Sequence, residues 1–133
     1  MASDRDIAIL VVDDDAAMRG VVRKLLEQLG FHRIEEAVDG LEALEKLRHG
    51  HFGLVISDWN MEPMDGLDLL RDIRSDSALG AIPMILATGE TNPRKAAAAA
   101  AAGASAYLVK PFDRQILGAA LERIFGPFGS VSV

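Results

Sequence analysis

The apolar positions of the chain change period from segment to segment. Ile7 to Val12 is a continuous, largely β-branched run, which suits a strand covered on both faces, as in a parallel sheet. From Met18 the period changes. Val21, Val22, Leu25, Leu26 and Leu29 follow it at i+3, i+4, i+7, i+8 and i+11, lining one face of a helix that Gly30 ends. A weaker strand is predicted over Arg33 to Ala37. A helix follows from about Leu41 to His49, with Leu41, Leu44 and Leu47 inward and Gly50 as its stop.

The alternation continues with a strand over Phe52 to Ser57, a loop through Asp58 to Gly66 and a helix from Leu67 to about Arg74. A fourth strand is predicted over Ile82 to Thr88, with Pro83 tolerable only near its start because proline lacks a donor. Asn92-Pro93 suits the cap and first turn of a fourth helix that Gly103 ends. Ala106 to Val109 is the fifth strand, and Asp113 to about Phe125 is the last helix, stopped by Gly126-Pro127. Five strands alternating with five helices through short connections predict a doubly wound α/β domain with a parallel sheet.

Composition refines this picture. With 133 residues, half of them apolar and 26% charged, the chain suits one soluble domain, 1–133, with a core over about 7–125 and a short tail, 126–133. Twenty of the apolar residues are alanines, seven of them consecutive from Ala96 to Ala102, so core volume must come mainly from the others. The alanine run reads as helix because no side-chain rotamers are frozen there. Twenty acidic against 14 basic residues give a formal charge of −6, unlike the basic face of a nucleic-acid binder. The absence of cysteine excludes disulfides and thiolate chemistry. No segment is long and apolar enough to span a bilayer and the start lacks a signal-peptide core, so a cytoplasmic monomer is expected.

In an open α/β sheet the site lies outside the carboxyl ends of the strands. There the predicted strands deliver Asp13, Asp14 and Asp15 from the first, Asp58 from the third, Thr88 from the fourth and Lys110 from the fifth. Each has a plain alternative: the Asp triplet as a helix cap with solvated charges, Thr88 as a strand end, Lys110 as a surface lysine. Chance does not readily explain their joint placement at successive strand ends. Crowded carboxylates demand a counter-charge. Mg²⁺ takes oxygen ligands and a phosphate oxygen, Lys and Thr suit the remaining phosphoryl oxygens, and a carboxylate can itself be the nucleophile.

Val11-Val12-Asp13-Asp14, Val55-Ile56-Ser57-Asp58-Trp59-Asn60-Met61, Met64-Asp65-Gly66, Thr88, Tyr107 and Lys110-Pro111-Phe112 together resemble a response-regulator receiver domain, nearest to the single-domain chemotaxis regulators. The resemblance implies the flavodoxin-like strand order 2-1-3-4-5. It implies that Asp58 accepts a phosphoryl group from a sensor histidine kinase of the chemotaxis (CheA-like) type. Asp13, Asp14, Asp58 and the backbone carbonyl of Asn60 would hold Mg²⁺, with Asp13 acting through a water. Lys110, joined to Pro111 by a cis bond, would pair with the phosphoryl group. Thr88 would move onto the new oxygens and Tyr107 would turn inward. Asn60 and Glu90 match positions that tune loss of the phosphoryl group, and Gly89 matches a position of small residues facing the donor. Trp59 is expected as a loop residue partly packed over the site.

The output implied is a switch in binding to a flagellar motor switch protein or a phosphatase, or else a phosphate sink or relay. Glu62-Pro63 departs from the chemotaxis pattern and brings negative charge near the site. The alanine helix, with Gly118, Ala119 and Ala120 in the last one, offers few of the large side chains that dominate interfaces. A phosphatase of the haloacid-dehalogenase type needs a second Asp two residues after the nucleophile, where this chain has Asn60, so a signalling switch and not an enzyme is expected. Neither GxGxxG nor GxxxxGK[ST] is present, against nucleotide binding. His32, His49 and His51 fall outside the acid cluster, and Met18, Met61, Met64 and Met84 read as gap fillers.

Overall fold

The computed structural model describes residues 4–126; Pro127 and the rest of the tail lie outside them. After a 3-10 turn, Asp4–Asp6, the elements in chain order are β1 (Ala8–Val12), α1 (Ala16–Gln28), β2 (Arg33–Ala37), α2 (Gly40–His49), β3 (Leu54–Asp58), α3 (Gly66–Ser75), β4 (Met84–Thr88), α4 (Pro93–Ala102), β5 (Ala106–Val109) and α5 (Arg114–Phe125). All four strand pairings are parallel, in the order β2-β1-β3-β4-β5.

Successive strand residues point to opposite faces, and the core splits accordingly. Ile9, Val11, Leu54, Ile56 and Ile85 pack with Val22 and Leu26 of α1 and Leu117 and Leu121 of α5. Leu10, Val12, Val55, Met84 and Leu86 face the other way, toward α2, α3 and Ala99 of α4. Burial on both faces explains why β1, β3 and β4 read as uninterrupted apolar runs.

Every α-helix begins on an Asp or Asn whose side chain accepts a backbone N–H of the first turn: Asp15, Asp39, Asp65, Asn92 and Asp113. These oxygens satisfy donors that have no intrahelical partner. Gly30 and Gly103 end α1 and α4 with φ of 99°, the left-handed conformation that glycine adopts without a Cβ penalty.

Three expectations change. Leu41 is 54% exposed, because the buried face of α2 is Gly40, Ala43, Leu44 and Leu47; Leu41 stands about 100° round the helix from Gly40. The third strand begins at Leu54, not Phe52, although Gly53 N–H still donates to Ala8 O at 2.8 Å. The fourth begins at Met84, and Pro83 contributes only its carbonyl, which accepts from Val55 N–H at 3.0 Å. The four methionines do fill gaps, Met61 and Met84 buried and Met18 and Met64 half-buried against the core.

Candidate functional site

Where β1 lies between β2 and β3, the connections leaving β1 and β3 run to opposite faces of the sheet and open a crevice at the strands' carboxyl ends. Asp13 directly follows β1, Asp58 is the last residue of β3, Thr88 is the last of β4 and Lys110 directly follows β5. The sheet therefore brings together four residues that are far apart in the chain.

Carboxylate oxygens of Asp13, Asp14 and Asp58 lie within 4.8 Å of one another. Lys110 Nζ sits 3.0 Å from Asp58 Oδ1 and 3.4 Å from Asp13 Oδ2. Asp58 and Asp13 are buried, while Asp14 is exposed. Burial pushes the Asp13 carboxyl above its usual range, outweighing the N–H of Asp15 and the charge of Lys110, and Asp58 adds to the rise. Burial alone would lower Lys110, but its hydrogen bond to Asp58 and the charges of Asp13 and Asp58 hold the ammonium above its ordinary value.

Three carboxylates against one ammonium leave the pocket short of positive charge. Its donors there are all hard oxygens, and this set fits Mg²⁺ rather than a thiophilic metal. Asp14 also borders a cleft with Asn60, Met61, Glu62 and Asp65. Glu62, joined to a cis Pro63, thus brings its charge to the mouth of the site. The Lys110-Pro111 bond is cis as well.

Around Asp58 the backbone is tightly held. Trp59 N–H donates to Ala87 O and Gly66 N–H to Trp59 O, both at 2.8 Å, and Ser57 Oγ donates to Asp58 O at 2.9 Å. A Cβ on Gly66 would collide with Asp58 O and come within 2.8 Å of Leu86 Cδ2. Beside Asp58, Thr88 is fully buried, and its hydroxyl accepts from Glu90 N–H at 3.3 Å. Gly89 opens outward, with nothing within 4 Å of where a Cβ would stand.

Trp59 departs from expectation. Its ring is buried within the cluster that holds Leu69 and Ala99 instead of lying over the mouth. Tyr107 meets it edge-on, with centroids 6.1 Å apart, and the phenol donates to Glu90 O at 3.1 Å. Lys95 Nζ lies 5.2 Å above the Trp59 ring and 2.9 Å from Glu90 Oε1. These contacts join the residue after Asp58 to the first turns of α4, and no sequence spacing announces them. A second unannounced group sits on the α1 side, where Arg19 reaches the backbone of Asp13 at 2.7 Å; its one sequence signal is a pair of arginines, Arg19 and Arg23, one helical turn apart. The three histidines stay away from this edge, His32 lying 3.7 Å from Asp6 and His51 bordering a cleft with Arg33 and Gly53.

The chain matches the family model of the response regulator receiver domain over residues 9–122. It is 43% identical over 122 residues to chemotaxis protein CheY-3 of Vibrio cholerae, spanning 92% of this chain and 94% of that protein. To chemotaxis protein CheY of Pseudomonas aeruginosa it is 44% identical over 117 residues, or 88% and 94% of the two chains. Among solved structures it resembles Vibrio cholerae CheY4, with a TM-score of 0.83 at 36% identity over 90% of this chain and 99% of that one. Among the described residues no helix is long and apolar enough to cross a membrane.

Proposed function

The chain belongs to the response-regulator receiver family, among the CheY-like chemotaxis regulators, and from that membership we propose that Asp58 accepts a phosphoryl group from a histidine kinase and thereby switches binding to a partner. The observation that carries this reading is a buried Asp58 whose carboxylate touches one ammonium and stands beside two further carboxylates.

In the forward step an Asp58 oxygen bonds to phosphorus as the bond from phosphorus to the donor's imidazole nitrogen breaks, and the electron pair returns to that nitrogen. The product is an acyl phosphate. Asp13, Asp14, Asp58 and the Asn60 carbonyl would hold Mg²⁺, which when bound supplies positive charge to the phosphoryl oxygens. Lys110, 3.0 Å from Asp58, would pair its ammonium with the transferred group. Thr88 would exchange its bond from Glu90 N–H for one to a phosphoryl oxygen. Tyr107 would report that exchange, since it and Thr88 are both hydrogen-bonded to the Glu90 backbone. Asn60 and Glu90 would set how readily water attacks phosphorus, releasing inorganic phosphate and restoring the carboxylate. A side chain larger than glycine at position 89 would stand in the donor's approach.

For output we favour the face of α4, β5 and α5, read by a motor switch protein or a phosphatase. A second reading, a phosphate sink or relay intermediate, draws on the exposed side of α4, where Ala97, Ala100 and Ala101 offer little area to a partner. The central test is a mass measurement after incubation with Mg²⁺ and acetyl phosphate. A gain of one phosphoryl group, absent in Asp58→Asn, is the expected result; a gain that survives the substitution overturns the assignment. A motor-switch peptide that binds more tightly after phosphorylation supports the switch, and unchanged binding supports the sink.

A further inference from the structure

The guanidinium of Arg19 in α1 reaches the acidic turn, yet among the described residues its hydrogen bonds go to none of the three carboxylates. Its NH1 donates to the backbone carbonyl of Asp13 at 2.7 Å, and its Nε donates to Glu36 Oε1 of β2 at 2.8 Å. The side chain is only 14% exposed. Glu36 is held in turn, its Oε2 accepting from Arg23 Nε at 2.8 Å while Arg23 NH2 donates to Ile34 O at 2.9 Å.

We propose that Arg19, aimed by Glu36, is a positioning residue that sets the Asp13–Asp14 turn in the geometry that receives the divalent cation. The proposal rests on the metal reading given above. The peptide plane between Asp13 and Asp14 carries the Asp13 carbonyl, and a rigid peptide plane turns as a unit. Fixing that oxygen therefore fixes where the Asp14 N and Cα stand and narrows the directions from which its carboxylate can extend. Asp14 needs this, because its side chain is exposed and no hydrogen bond or ion pair holds it among the described residues. Asp13 has other supports: its N–H donates to Ala37 O at 3.1 Å, and its Oδ1 accepts from Asp15 N–H at 2.9 Å. The carbonyl bond from Arg19 is the one that reaches the next residue. A guanidinium makes the two contacts from separate nitrogens held at a fixed angle, whereas a lysine ammonium would have to reach both acceptors from one nitrogen on a shorter stem.

Charge and geometry predict opposite signs here. A cation near a cation site weakens metal binding by repulsion, so neutralising Arg19 would tighten Mg²⁺ if its charge were all that mattered. If Arg19 positions the turn, neutralising it loosens Mg²⁺. The test is calorimetric titration of the folded full-length chain with Mg²⁺ alone, with urea unfolding of each variant as the check on folding. Expected are a Kd about tenfold higher in Arg19→Met, a rise in Arg19→Lys despite its retained charge, a smaller rise in Glu36→Gln, and Arg23→Met within about twofold of wild type. Should Arg19→Met fail to fold, Arg19→Lys decides. Mg²⁺ binding as tight as wild type or tighter in Arg19→Met and Arg19→Lys, or an equal loss in Arg23→Met, overturns the proposal. A wild-type chain that does not bind Mg²⁺ overturns the metal reading itself, and the positioning role with it.

Discussion

Gly66 shows how little freedom surrounds Asp58. A methyl group there would run into the Asp58 carbonyl and the Leu86 side chain, and a backbone oxygen cannot turn aside as a flexible side chain would. Gly66→Ala is expected to lower stability by about 1–3 kcal/mol, read as an earlier urea midpoint, and to slow phosphorylation of Asp58 by acetyl phosphate as the β3 end shifts. A midpoint equal to wild type would show that the loop yields at no cost. At this scale the sequence was informative wherever a residue ended a strand: Asp58, Thr88 and Lys110 could be read because the topology sends strand ends to one edge. Arg19 could not be read as Asp13's partner, because a side chain bonding to a backbone carbonyl leaves no pattern in residue types. The burial of Trp59 escapes the sequence for a related reason. Its position after Asp58 is legible, but whether the ring turns outward or into the core depends on the space left by Leu69 and Ala99.

Among the elements, α4 has the least side-chain anchorage. Only Ala99 is fully buried, with Ala98 and Ala102 packed partly against the core, and alanine contributes little contact area per residue. Its ends carry the attachment. At the first turns stand the Asn92 cap and Lys95 on Trp59 and Glu90. At the other end Arg74 of α3 donates through Nε and NH2 to Gly103 O at 3.1 and 2.8 Å, and through NH1 to Gly80 O and Ile82 O. A cation on the last carbonyls also suits the negative end of the helix. Arg74→Met leaves three carbonyls without this donor and is expected to cost about 1–3 kcal/mol. Hydrogen exchange should locate the effect, with faster exchange in the last turn of α4 and little change in α1. Uniform acceleration along the chain would mean that Arg74 serves global stability alone. The alanine run and Gly103 made α4 legible as a helix with a defined stop, whereas its attachment from α3 comes from a residue 29 positions away.

Across the whole molecule, Glu36 joins β2 to α1 through two arginines, and its backbone oxygen accepts from Lys46 of α2. The hydrogen bonds from Arg23 and Arg19, against a modest opposing effect of burial, hold its carboxyl below the ordinary value near 4.5. A carboxyl lowered on folding contributes stability that is complete above its ordinary value and fades as pH falls through its folded one. Wild type should therefore be more stable than Glu36→Gln at neutral pH, with the gap closing below about pH 4.5 when urea midpoints are compared across pH. A gap that persists at low pH would show that the bonds do not depend on the charge. By itself the sequence determined the alternation of elements, the Asn92 cap and Gly103 stop of α4, the edge where the candidate site lies and the family, because these follow from periodicity, local hydrogen bonding and motifs that sit within a few residues of one another. The tertiary structure alone decided that Leu41 faces solvent, that β3 and β4 start later than their apolar runs, that Trp59 is buried under Lys95 and beside Tyr107, and that Arg19 and Arg74 bind carbonyls on neighbouring elements. Those outcomes depend on which surfaces meet once the sheet has formed, and on directional bonds to backbone oxygens that every residue carries alike.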